Sequence, residues 1–189
     1  QNNKTLSYII SSVSYPLPLK RWGFLPLAVQ LFFKTDTSLS VDSKNAALIK
    51  SGEKCLLRRG IEKSENQSFL SCFAYFYAYK QNLDTVPSIE NMREIFVKNI
   101  NLDLFVTYHN GNLVSIFRPK KAHLMSSNIK DHENTDFYKT INMSDETQVE
   151  YLEDTIASYE NFIKFVQDDN SFIDHTYLWD FFCDRNKDI

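Results

Sequence analysis

The stretch Cys55–Lys80, CLLRRGIEKSENQSFLSCFAYFYAYK, decides how the rest of this chain is read. It opens on a basic step, Arg58-Arg59-Gly60, and crosses a polar loop from Ile61 to Gln67. It then enters the most apolar and aromatic run in the sequence, Ser68 to Tyr79. Almost every position there is apolar or small, and neither Gly nor Pro interrupts it. That pattern predicts a central helix over about 66–80, apolar on nearly all sides and therefore wrapped by other elements. Ser64 with Gln67 has capping-box spacing, and Asn66 is the alternative cap.

On the N-terminal side, Leu6 to Val13 has the character of a short strand. Tyr15-Pro16-Leu17-Pro18-Leu19 is extended, because each proline fixes its own φ and biases the residue before it. Pro26 suits the first turn of a helix running to about Phe33. That helix is nearly all apolar, which predicts burial. Residues 34–51 are a polar connector.

On the C-terminal side, a helix follows Pro87 with Ser88 as its cap. Ile89, Met92, Ile95, Phe96 and Ile100 form its buried stripe. Leu104–Tyr108 and Leu113–Phe117 are rich in β-formers and flank Asn110-Gly111. This is the signature of a hairpin over about 104–117 closed by a type I′ turn. A hairpin alone is marginal, so one face needs cover. Residues 119–143 are polar and read mostly as loop. A long helix, about 144–167, starts at Ser144 with Asp145 and Glu146 in its first turn. Val149, Leu152, Ile156, Tyr159, Ile163 and Val166 make its stripe, and its opposite face is acidic. Tyr177–Cys183 is a last short helix. The expected fold is one α+β domain over 1–189: the buried helix packed with the hairpin and with the 144–167 helix. The chain also reads as a fragment of a larger polypeptide.

Composition narrows the function. Apolar residues make up 43% of 189, enough for a substantial core. Net charge is −3, so nucleic-acid binding would need a local basic patch. Three Cys (55, 72 and 183) are odd in number and lack zinc-ligand spacing, which reads as reduced thiols. No run of about 18 apolar residues is present, so no membrane partner is expected. The carboxylate pairs Glu153/Asp154 and Asp168/Asp169 are sequence neighbours, which do not face each other on a helix. The four His (109, 123, 132 and 175) form no ligand cluster, and Gly-rich phosphate loops are absent. Neither a metal nor a cofactor is expected, and a non-enzymatic role is favoured.

Two arrangements remain. Ser68 sits where a helix dipole would act on a nucleophile, and its N-x-S-F-L context resembles the D-G-N-C-L run of OTU-type cysteine proteases. A serine gains far less from that dipole than a thiol would. With His175 as a distant partner, the reading is an inactive papain/OTU-like fold; the alternative is a capping serine. The basic steps Lys20-Arg21-Trp22, Arg58-Arg59 and Arg118-Pro119-Lys120-Lys121 could contact phosphates, with Trp22 stacking on bases. The alternative is separate solvated charges.

Three stretches carry a family resemblance: KRWGFLPLAVQLFF (20–33), CLLRRGIEKSENQSFLSCFA (55–74), and LDLFVTYHNGNLVSIFRP (102–119) with DHTYLWDFFC (174–183). They resemble very large proteins of nucleocytoplasmic large DNA viruses of the mimivirus and asfarvirus sort, above all the large subunit of the viral early transcription factor. The resemblance implies a non-enzymatic part of a transcription initiation factor. Its partners would be promoter DNA, RNA polymerase subunits or other parts of the same large protein, in host cytoplasm (the viral factory) or the virion. A virion structural or protein-interaction domain is the alternative, expected to expose an apolar patch around Trp179 and Phe181.

Overall fold

The computed structural model describes residues 8–50, 52–120 and 129–183. Lys121 and His123, the start of the strand expected from Leu6, and the segment after Cys183 lie outside these. The fold mixes helices with one small antiparallel sheet. Where the sequence reading treats 1–189 as one domain, the chain groups into two compact units, Gln1–Lys63 and Ser64–Ile189.

In the first unit, β1 (Trp22–Phe24) pairs antiparallel with β2 (Leu57–Arg59), with Gly23 opposite Arg58. Ile10 adds a parallel bridge to Gly23. Gly60 is required by close approach, since a Cβ there would overlap the Pro18 carbonyl oxygen. Between the strands lie α1 (Leu27–Phe32) and a 3-10 turn, Thr37–Leu39, capped by Asp36. Among the described residues, the buried apolar side chains of this unit are Ile9 and Leu17. The expectation that α1 is buried is corrected: none of its residues is. With six residues it lacks an opposing layer long enough to cover its Leu and Phe side chains.

The second unit is helical. It contains α2 (Ser68–Lys80), α3 (Ile89–Asn99), α4 (Leu102–Thr107), α5 (Leu113–Ile116), α6 (Asp136–Lys139), α7 (Glu146–Gln167) and α8 (His175–Cys183). The element wrapped by its neighbours is α7, where four consecutive residues, Thr155 to Ser158, are all buried. Its two buried hydroxyls are satisfied within the helix, Thr155 donating to the Tyr151 carbonyl and Ser158 to that of Asp154. Phe162, fully buried, meets the rings of Phe96 (5.8 Å), Phe105 (5.4 Å) and Phe117 (4.9 Å). Asp145 caps α7 by accepting from the Thr147 and Gln148 amides, so the helix begins two residues after Ser144.

The central helix of the sequence reading exists with nearly its expected bounds, but its surroundings differ. Only Leu70, Ser71, Ala74 and Ala78 of α2 are buried. These small side chains let α2 lie close to α3, while its larger aromatics point elsewhere. At its end, Asn82 takes a left-handed φ of 51° and the Leu83 amide bonds back to the Ala78 carbonyl. This is a Schellman stop.

The hairpin over 104–117 is corrected to two short helices. The Asn101 side chain accepts from the Leu104 amide and starts α4. Burial then falls on Leu102 and Phe105, a three-residue step that a strand would send to opposite faces. The left-handed preference of Asn110-Gly111 is used, with His109 and Asn110 at φ 53° and 54° and Gly111 at 79°. It links α4 to α5 and does not join strands. The described residues of the second unit form no strand that could cover a hairpin face, whereas Phe105 as part of a helix reaches Phe162.

Phe162→Ala should lower the urea-unfolding free energy by about 3–5 kcal/mol. Asn101→Ala should cost about 1 kcal/mol. Backbone carbon chemical shifts over 102–107 should be helical; strand-like values would refute this account of the segment.

Candidate interaction surfaces

The three arginines of the first unit, Arg21, Arg58 and Arg59, lie on or beside its sheet and are engaged within the unit. Arg58 Nε donates to the Phe24 carbonyl (2.7 Å), and one terminal nitrogen donates to the carbonyls of Ser11 (2.8 Å) and Ser14 (3.1 Å). Its guanidinium lies 4.3 Å from the Tyr15 ring centroid. Arg58 therefore ties the 11–15 loop to β1. Arg21 stacks on Tyr8 at 4.4 Å and donates to the Tyr8 carbonyl. Arg59 covers Trp22 at 4.3 Å. Arginine suits this role because its planar fork can stack and donate in several directions at once. Lys20 is exposed.

In the second unit, Arg118 pairs with Asp154, and Lys120 is exposed. The residues proposed to meet DNA are thus divided between the two units, Lys20, Arg21, Trp22, Arg58 and Arg59 in one and Arg118 and Lys120 in the other.

At the tip of α2 the Ser68 hydroxyl is fully occupied. It donates to the Ser64 carbonyl (2.6 Å) and accepts from the Ser64 amide (2.9 Å). Ser64 in turn accepts from the Asn66 and Gln67 amides. The reciprocal cap expected between Ser64 and Gln67 is completed by Ser68 instead. Gln67, buried, sends its amide to the carbonyls of Asp168 (2.8 Å) and Ser171 (3.1 Å). Asn66 donates to the Asn170 carbonyl. His175 packs its ring against Phe69 at 6.3 Å and makes no hydrogen bond to Ser68. The arrangement fastens a loop, and its hydroxyl is not poised to attack.

Of the hollows in the described structure, one of about 300 Å3 is lined by Asp36, Lys54 and Cys55, whose thiol is pushed above its usual pKa by burial, and another of about 400 Å3 by Glu90, Arg93, Glu94 and Lys98. Another of about 640 Å3 in the first unit is lined by Ser11, Ser12, Thr37 and Ser38 over Ile9 and Phe24. None of the described residues that line it is titratable. A further hollow, about 450 Å3, lies beside α7 with Asp131, His132, Tyr159, Glu160 and Lys164. Burial holds the His132 imidazole below its usual pKa, while the Asp131 and Glu160 carboxylates act in the opposite sense. Among the described residues that line it there is no Cys or Ser. Among the described residues, no group of three or more His, Cys, Asp or Glu is placed to hold a metal ion, and no helix is long and apolar enough to cross a membrane.

What sequence reasoning missed is apolar exposure. In α1, Leu27 and Leu31 are each 69% exposed and Phe32 is 79% exposed. In the second unit Phe76, Tyr79 and Trp179 are open to solvent, whereas Phe181 is buried against Phe96 at 4.3 Å. The patch expected at Trp179 and Phe181 therefore involves Trp179 alone of that pair.

Compared with known proteins, the chain matches no family model, no curated protein and no solved structure.

The His132 shift has a definite sign. Its folded pKa is depressed, so its contribution is complete above the unfolded value near 6.5 and declines as pH falls through that value toward the folded pKa. His132→Phe should flatten the pH dependence of urea unfolding in that window. An unchanged slope would show that another group is responsible.

Proposed function

We propose that this chain is a non-enzymatic protein-interaction domain that docks partners through the apolar surface of α1. The observation that carries this reading is the uncovered Leu27, Leu31 and Phe32 on a unit whose described core holds only Ile9 and Leu17. A core that small gives little hydrophobic stabilisation, and an apolar surface of this kind marks interaction sites. Arg21 Nε and Thr35 Oγ1 of the same unit are buried without a hydrogen-bond partner among the described residues. A docked protein surface would supply the apolar cover that α1 lacks.

The virus-family resemblance suggests who the partner is: RNA polymerase subunits or another part of the same large protein, in a transcription or virion assembly. Direct promoter contact is the weaker form of this proposal. Arg58 would have to leave three carbonyls and an aromatic ring to reach a phosphate, losing hydrogen bonds worth about 1.5–3 kcal/mol each.

The test is copurification of the chain with polymerase subunits from cells expressing both. Leu31→Asp with Phe32→Asp should abolish it while leaving the circular dichroism spectrum unchanged, since neither side chain is buried. Retained copurification refutes the α1 surface. DNA binding that weakens steeply with salt and is lost in Lys20→Ala would favour promoter contact instead.

A further inference from the structure

The outward face of α2 carries Cys72, Phe76 and Tyr79, four and then three residues apart, with Leu83 just beyond the helix end. Phe76 is 70%, Tyr79 87% and Leu83 45% exposed. Beside them Trp179 of α8 is 53% exposed and is joined to the same surface through Phe73, which lies 6.2 Å from Phe76 and 6.3 Å from Trp179. Phe73 stacks on Phe182 at 4.1 Å, so these two half-buried rings join the exposed side chains of α2 to those of α8.

We infer that this stripe is a self-association seam, packed against α2 of a second copy of the chain. Three features select a copy of itself. First, the stripe contains no charged side chain, so a two-fold pairing that sets it against itself meets no like-charge penalty; the nearby Asp180 carboxylate is engaged by the His109 amide. Second, alternating steps of four and three residues are the spacing with which helices interlock side chains into each other's gaps. Third, the area suffices. At roughly 200 Å2 per aromatic side chain, Phe76, Tyr79 and Trp179 leave about 400 Å2 uncovered per copy. With Leu83 and Cys72 added, two copies bury on the order of 1,000 Å2, where specific interfaces begin. The seam is separate from α1 and does not depend on the partner proposed there.

An antiparallel crossing centred on Phe76 sets the two Cys72 residues roughly 12 Å apart along the axis, at 1.5 Å per residue. That is within reach of a short bismaleimide.

The experiment is sedimentation velocity on the full 189-residue chain over a dilution series, joined to bismaleimide cross-linking in a Cys55→Ser, Cys183→Ser background that leaves Cys72 alone. The expected result is a monomer–dimer equilibrium, a cross-linked dimer, and at least tenfold weaker association in Phe76→Asp with Tyr79→Asp. Should that pair fail to fold, Tyr79→Lys alone decides, because Tyr79 is the most exposed ring of the stripe. A monomer at every concentration overturns the inference. So does a dimer that survives the folded seam variants, or one lost in Leu31→Asp with Phe32→Asp, which would assign pairing to α1.

Discussion

The second unit depends on the enclosure of α7. A 22-residue helix buried on all sides at its middle turn must satisfy every polar group there internally, and Thr155 and Ser158 do so by bonding one turn back. Phe162 then gives α3, α4 and the end of α5 a shared set of ring contacts. The short helices α4 and α5, six and four residues long, are too short to persist alone in water. They hold their shape because Phe105 and Phe117 are claimed by Phe162. The local β preference of residues 104–117 loses to that burial.

The first unit is organised differently. With so few buried apolar side chains, it relies on arginines as connectors. Arg58 joins a strand to a loop through three carbonyls, and aromatic rings cover the guanidiniums of Arg21, Arg58 and Arg59. Charges that look available for phosphate in the sequence are mostly spent on the fold. This shifts the weight of the functional reading from basic residues to uncovered apolar ones.

Much was legible in advance. The bounds of α2 follow from an apolar run that neither Gly nor Pro interrupts, and the Ser88 cap, the stripe of α3 and the main body of α7 follow from cap chemistry and periodicity, because α3 and α7 are long enough for a 3.6-residue pattern to assert itself. The hairpin was misread because Asn-Gly reports only a need for left-handed φ, which a helix-to-helix link satisfies equally well. Phe162 was missed since it lies between two expected stripe positions, Tyr159 and Ile163, and matters only where neighbours surround the helix. The exposure of Phe76 and Tyr79 was hidden for the opposite reason. A uniformly apolar run has no polar face to show which side meets water, and Ala74 and Ala78, rather than the aromatics, mark the packed side. The uses of Arg58 and Gln67 rest on carbonyls far away in sequence, which residue identities do not encode.

The Gln67 latch carries an asymmetry in what the chain can tolerate. Its amide grips main-chain carbonyls, at Asp168 and Ser171, and the Asp168 carboxylate holds those carbonyls in place by accepting from the Asn170 amide and the Ser171 hydroxyl. Gln67 itself has no latitude. Glutamate, nearly identical in shape, would turn a donor into an acceptor facing two other acceptors in a buried site. A single-atom exchange at position 67 is therefore costly, and within the turn the residue with least latitude is Asp168, whereas Asn170 contributes its main chain to the grip of Asn66.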